Sequence, residues 1–378
     1  MRRNLTLLIG LLLAANPLVA QYYFLEPPLY ELPPEEVYEV VPVCPTPCVY
    51  TTPAPQCLPK CSRGLYFFGE YLYWKADQDN LEYCTVDLTP DSSSDAASTP
   101  PFLPGDANGQ FHCASLKWTP GVRGGLGIPL AHDNWELLGI YTYHYSDGRQ
   151  EVDKPSASNL FLNGNFRENL GAVPQRASSN INLKFQQGDV LLSRKFDPSG
   201  NIFLKMTMGL AGAWFEQFWT VKYSAPTTEF AHNTSKVHNN WQYYGGGGRL
   251  GLDLDWNMGR GISFYGRFSG AVLLGRYKFH YYAHNPNTSA LPTGYANFDE
   301  LRYVPNTQVG LGFKWFGCIF GANMDIQLGY ELNSWWNVHM LPVTPWIPAG
   351  QPNSEKFTFH RNGNVCFQGF TGRVGFNF

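Results

Sequence analysis

Ten segments from Arg63 onward alternate apolar and polar residues with a period of two, and the connections between them alternate strictly between short and long. In the first segment Leu65, Phe67, Tyr71 and Tyr73 share one face, while Glu70 shares the other with Tyr66, Phe68, Leu72 and Trp74. Further on, Val122, Leu126 and Ile128 oppose Gly121, Arg123 and Gly125, and Leu137, Tyr141 and Tyr143 oppose Glu136 and Thr142. Met206, Met208 and Leu210 oppose Lys205 and Thr207; Leu250, Leu252 and Leu254 oppose Arg249, Asp253 and Asp255. Strand side chains point alternately to two faces, so each segment reads as a strand with one apolar side. The short connections fall near 131–134, 197–201, 257–261 and 316–319. The long ones fall near 77–117, 146–180, 217–240, 278–303 and 337–363.

Two all-β architectures present such strands. A soluble sandwich turns the apolar face inward. A membrane barrel turns it outward to lipid, with short turns on one side, long connections on the other and an even strand count. The segments exceed the five or six residues usual in soluble sheets, and the polar face is mostly Gly, Ser, Thr and Asn with few Lys. Charged residues are 15% of the chain, against roughly 25% in a soluble domain, and aromatics reach 16%. Trp74, Trp135, Tyr145, Trp214, Trp256, Trp315, Trp335 and Trp336 fall near segment ends, where interfacial girdles belong. The expectation is a transmembrane antiparallel β-barrel of at least ten strands (10–16) in a bacterial outer membrane. Stretches 81–88, 111–118, 219–224, 278–282 and 356–360 are candidates for extra strands. The count matters because eight strands leave a bore filled by side chains and sixteen leave a water channel.

The beginning of the chain reads differently. Arg2 and Arg3 precede an apolar stretch, Leu5 to Ala15, and then Pro17 to Ala20, which reads as an export signal over 1–20. Residues 21–62 carry ten prolines between Pro27 and Pro59 and five glutamates before Lys60. Such a stretch cannot build sheet or helix and reads as an extended acidic periplasmic arm. Its Cys44, Cys48, Cys57 and Cys61 fit disulfides better than zinc in an exported chain, closed within the arm or made to other molecules. Cys84 and Cys113 bracket the first long connection and are candidates to pin it. The barrel is then 63–378.

No enzyme signature stands out. Gly246 to Gly251 matches a nucleotide-binding G-x-G-x-x-G but sits in a strand pattern with no following helix. The histidines include no H-E-x-x-H, and a net charge of −3 lacks the Lys/Arg surplus that nucleic acid requires. The reading is a non-enzyme with no metal and no cofactor. The informative charges lie on polar strand faces. Acidic ones are Glu70, Glu136, Asp253, Asp255, Asp325 and Glu331; basic ones are Arg123, Lys205, Arg249, Arg267, Lys314 and Arg373. If they line a bore, the equal numbers predict no ring of one sign and weak charge selectivity.

The stretches GLYFFGEYLYWKADQDNLEYC (64–84), WELLGIYTYHY (135–145), GDVLLSRKF (188–196), GLAGAWFEQFWTVKY (209–223) and GRLGLDLDW with ISFYGRFSGAVLLGR (248–276) carry a further signal. In order and spacing they resemble the Legionella-type pore-forming outer-membrane proteins and the related proteins of chlamydia-like bacteria. The resemblance implies a porin admitting small hydrophilic solutes by passive diffusion, and also a structural envelope component. A closed barrel acting as a structural or adhesive surface protein through its loops and arm is the alternative. The resemblance also implies outer-membrane lipid as surroundings and cysteine-rich envelope proteins, or a second copy, as disulfide partners. In this class Phe378, ending GRVGFNF, would serve as the signal read by the barrel-assembly machinery.

Overall fold

The computed structural model describes residues 64–87, 110–130, 135–156, 160–166, 174–198, 200–225, 234–286, 294–319, 322–343 and 359–377. Cys44, Cys48, Cys57, Cys61 and Phe378, with the expected export signal, arm and 131–134 turn, lie outside them. The chain forms β1 (Tyr66–Gln78), β2 (Glu82–Asp87), β3 (Gln110–Cys113), β4 (Trp118–Pro129), β5 (Trp135–Asp153) and β6 (Phe161–Gly164). There follow β7 (Arg176–Phe196), β8 (Ile202–Ser224), β9 (Thr234–Gly259), β10 (Ile262–His284), β11 (Gly294–Ile319), β12 (Ala322–Val343) and β13 (Phe359–Asn377).

Ten strands close a barrel in the order β1-β13-β12-β11-β10-β9-β8-β7-β5-β4. Every pairing is antiparallel, and β1 closes the ring by pairing β13 from Tyr66↔Asn377 to Gln78↔Val365. The barrel therefore stays at ten. Of the candidate extra strands, 81–88 and 111–118 supply β2, β3 and the first residue of β4. Stretches 219–224 and 278–282 continue β8 and β10, and 356–360 touches the start of β13. β2, β3 and β6 pair separately as a three-stranded sheet. The long connections are correspondingly shorter than expected: β9 and β11 each run for 26 residues, more than twice the 9–11 that a tilted membrane strand needs.

That excess length has a chemical counterpart. On β9 the outward residues near the short turns are Leu250, Leu252, Leu254 and Trp256, all exposed, with Arg249 turned in and buried. Further along the same strand the outward residues are Gln242, Asn240, His238 and Lys236, and the inward ones Tyr243, Trp241 and Val237 are buried. The backbone keeps its pleat; the chemistry of the two faces changes places. β8 does the same, from outward Met208 and Leu210 to outward Glu216 and Lys222 over buried Phe215, Trp219 and Tyr223. So does β10, from Val272 and Leu274 outside to Arg276 and Lys278 outside over Tyr277 and Phe279. One half is built for lipid, apolar outside and polar inside. The half beyond it is built for water, polar outside over an apolar centre.

The apolar centre is a cluster of rings. Phe185 lies 4.7 Å from Phe367, 4.9 Å from Phe215 and 5.6 Å from Trp335 by ring centroids. Trp74 and Trp241 join them, and the small sheet packs onto the same cluster through Tyr83 and Leu162, with Leu81 just ahead of β2. Each such ring contributes roughly 1.5–3 kcal/mol by burial. Trp74 and Trp335 are thus interior, fully buried residues rather than girdle residues, because their inward rows lie beside Leu72 and Asn333. Exposed Tyr145, Trp214, Trp256, Trp315 and Trp336 do face out.

At the opposite end the β9–β10 hairpin closes through Arg260 (φ 55°) and Gly261 (φ 78°). Left-handed conformation at both central residues is the two-residue turn whose twist matches paired strands. At Gly261 a Cβ would also sit 2.6 Å from the Phe316 carbonyl oxygen. The G-x-G-x-x-G stretch lies inside β9, where a Cβ on Gly247 would run into the Val272 carbonyl of β10. Close backbone approach accounts for that glycine.

Candidate functional site

The lipid-facing half encloses a polar network that reaches across the bore. Arg123 on β4 donates from Nη1 to both oxygens of Glu70 on β1 at 3.2 Å. It also forks onto Glu331 of β12, Nη2 to Oε1 at 2.7 Å and Nη1 to Oε2 at 2.9 Å. β4 and β12 stand three places apart in the ring, so the fork spans the interior rather than following the wall. Nε of Arg123 donates to Thr142 Oγ1 at 3.1 Å.

From Glu331 the chain of contacts continues. Gln308 on β11 donates to Glu331 Oε1 at 2.6 Å and accepts from Arg249 of β9. Arg249 also donates to Ser269 Oγ at 2.7 Å and pairs with Asp189 of β7 at 3.3 Å. Gln187 donates to the Asp189 carboxylate at 2.8 Å. Six barrel strands thereby contribute to one run of ionised and amide groups, each nearly withdrawn from solvent: Glu331 is 2% exposed, Gln308 4% and Asp189 6%. The Arg123 guanidinium lies 5.3 Å from the Trp74 ring centre, where the charged layer meets the aromatic one.

The remaining charges pair nearer the short turns. Lys205 reaches Glu136 at 2.9 Å, Lys314 reaches Asp255 at 3.2 Å and Arg267 approaches Asp253 at 3.7 Å. Arg373 lies 3.6 Å from the Phe68 ring centre and donates to Tyr66, whose hydroxyl bonds Asp325 at 3.2 Å. All twelve charged residues singled out from the sequence thus occupy inward rows, and opposite signs meet in pairs, in the central network or, for Arg373 and Asp325, through the Tyr66 hydroxyl.

Sequence reasoning places Gln308 and Ser269 on polar strand faces without counting them as site residues, and it does not single out Asp189 or Gln187. Asp189 was findable, since it alternates against outward Val190. Gln308 and Ser269 are neutral and carry no sequence signal beyond lying on a polar face. Outside the bore, β2 pairs β3 with Glu82 opposite Cys113 and Cys84 opposite His112 across an irregular register. The two cysteines sit on adjacent strands, one step out of line, both as thiols. Desolvation first, and then the Glu82 carboxylate, raise the Cys113 thiol above its ordinary range. Among the described residues no group of three His, Cys, Asp or Glu side chains gathers as a metal site.

Among solved structures, the chain is similar to the outer membrane protease OmpT from Escherichia coli, at 9% identity and a TM-score of 0.42, covering 83% of this chain and 97% of that one. It is also similar to the toluene transporter TodX of Pseudomonas putida, at 8% identity and a TM-score of 0.30, covering 83% and 90%. A Pseudomonas aeruginosa FadL homologue gives 8% identity and a TM-score of 0.24, with the same coverage of 83% and 90%. No curated protein matches the chain in sequence. The family described as Legionella pneumophila major outer membrane protein precursor matches residues 57–377, the whole barrel together with Cys57 and Cys61. A closed antiparallel barrel with an apolar belt and a polar bore, matched along its full length by that family, is an outer-membrane protein, and the chain belongs to the Legionella major outer membrane protein family.

Proposed function

We propose that the protein is a porin of narrow calibre, passing ions and small hydrophilic solutes passively with weak charge selectivity, and adding bulk to the envelope. The observation that carries this reading is the contrast between the two halves of the interior. Ten strands need only be filled to be stable, and the outer half is filled with rings. Burying charges instead costs several kcal/mol per ion before pairing repays it, and apolar replacements of such networks are often neutral or stabilising. A barrel with no use for a polar path has no reason to keep Arg123, Glu70, Glu331, Arg249 and Asp189 in its lipid-facing half. Acids and bases alternate around the bore, on neighbouring strands or on strands two or three places apart, so a passage along them favours neither sign.

A specific observation favours a second reading. Trp74, Phe185, Phe215, Trp335 and Phe367 are at most 2% exposed, and a solute must displace some of them to pass. A barrel in which they stay fixed is a closed structural or surface protein. Planar-bilayer recording decides. The porin reading expects small unitary steps with a reversal potential near zero in a salt gradient, and larger steps from Phe185→Ala with Trp335→Ala. Silence from both proteins, each verified as folded, leaves the closed barrel.

In this reading the assembly machinery reads the terminal aromatic, and the arm's four cysteines join the barrel to itself or to other cysteine-rich envelope proteins. Non-reducing electrophoresis of cells carrying the four Cys→Ser changes tests the latter. Mobility identical to the parent protein refutes it.

A further inference from the structure

The outer wall carries a groove of about 380 Å³ where β7, β8 and β9 pass from the apolar belt to the polar one. Its lining includes Tyr141, Lys184, Trp214, Glu216, Gln242 and Tyr244. Below it the wall is purely apolar and exposed: Val190, Leu210 and Leu250. Just below it, outward glycines stand in register, Gly188↔Gly212↔Gly246, and the Trp214 ring lies over the first two of them. A Cβ on Gly212 would press on the Trp214 ring at 3.2 Å, so a larger side chain here would push that ring out of its place in the groove wall.

One register row forms the upper lip. Lys184 pairs with Glu216, Glu216 with Gln242 and Gln242 with Lys278 of β10. The row places one ammonium at each end, three strand spacings or about 14 Å apart. A carboxylate and a carboxamide lie between, and Gln242 donates to Glu216 at 3.1 Å. Lys184 makes no hydrogen bond or ion pair among the described residues. Lys278 leans over the Tyr244 ring, 5.9 Å from its centre. Tyr141, Trp214 and Tyr244, each at least 40% exposed, stand as walls beneath.

We propose that this groove binds one anionic glycolipid of the outer leaflet, its headgroup held by the row and an acyl chain laid against the exposed rings of Tyr141, Trp214 and Tyr244. Position selects a lipid, because the groove straddles the level where acyl chains give way to headgroups. Charge then selects among lipids. The two ends suit two separated phosphates, each drawn by a lysine at the membrane surface. The centre offers acceptors and an amide, which suit sugar hydroxyls and would repel a lone phosphate. Exposed rings at the interface present flat faces to sugar carbons as well as to acyl chains. A phospholipid with a single central phosphate meets Glu216 and leaves one lysine unused. The site is separate from the bore, so it stands whether or not the barrel conducts.

The test uses the full barrel, refolded in detergent, and native mass spectrometry. The probes are bisphosphorylated lipid A, dephosphorylated lipid A and phosphatidylglycerol. One lipid A is expected to stay bound per barrel, resisting a tenfold excess of phosphatidylglycerol. Lys184→Gln with Lys278→Gln lowers retention at least tenfold, roughly fivefold for each lysine, while Lys222→Gln with Lys236→Gln leaves it unchanged. Gly212→Val also lowers retention; should that variant fail to fold, the lysine pairs alone decide. Equal retention by both lysine pairs, equal retention of the dephosphorylated probe, or displacement by phosphatidylglycerol overturns the proposal.

Discussion

Replacing Arg123 by alanine removes the cation that holds two carboxylates, Glu70 and Glu331, from the strands on either side of β13. The Arg123 side chain is 5% exposed and those of Glu70 and Glu331 are 3%. Deleting one partner of a buried pair typically costs about 3–5 kcal/mol, because the other charge stays behind without compensation. Here two carboxylates are left, and the Thr142 hydroxyl loses its donor, so the expected loss is at the upper end, about 5 kcal/mol. Adding Glu331→Gln removes one stranded charge while its carboxamide still serves Gln308. The double variant should therefore recover about 2 kcal/mol relative to Arg123→Ala alone, a coupling in the range seen for touching residues. Urea unfolding of vesicle-refolded barrels, followed by tryptophan fluorescence and electrophoretic mobility, measures both quantities. If Arg123→Ala unfolds within about 1 kcal/mol of the parent, the carboxylates were already hydrated. The interior is then an open water column, and the packed network described above is wrong.

Three further outcomes follow from the same geometry. Leu250→Arg puts a charge on the lipid belt and should destabilise by about 2–4 kcal/mol, whereas Asn240→Arg, outward on the same strand above the belt, should stay within about 0.5 kcal/mol; equal costs in urea titrations would remove the boundary between them. Gly261→Ala, at φ 78° with no room beside Phe316, should lower stability by more than about 1 kcal/mol; an unchanged unfolding midpoint would mean that the turn yields. Glu82→Gln should speed alkylation of Cys113 at neutral pH. The carboxylate favours the neutral thiol, so removing it enlarges the thiolate fraction, and the two rates should converge at high pH where both thiols are ionised. A constant ratio across the pH range would show that the carboxylate does not act on the thiol.

The lipid-facing half of the barrel was legible because its alternation is simple. Leu250, Leu252 and Leu254 against Arg249, Asp253 and Asp255 leave no doubt about faces, and period two then carries the inward charges with it. The outer half was misread as long connections for a physical reason. Tyr277, Phe279, Tyr281 and Ala283 alternate with Lys278, His280, Tyr282 and His284 as regularly as any strand, yet the apolar row now lies on the face that held Arg267 and Ser269 below. A reading that follows the greasy face loses its strand at the level where lipid ends. The change of sign is itself the measure of that level: between Leu274 and Arg276 on β10, between Tyr244 and Gln242 on β9, between Gly188 and Gln186 on β7. Register ties these points together, since Arg276 pairs with Tyr244 and Gly188 with Gly212. A strand crossing from lipid to water must exchange the chemistry of its faces without turning its backbone. The groove at Lys184 and Trp214 lies on that line because only there do an acyl chain and a hydrated headgroup meet the same stretch of wall.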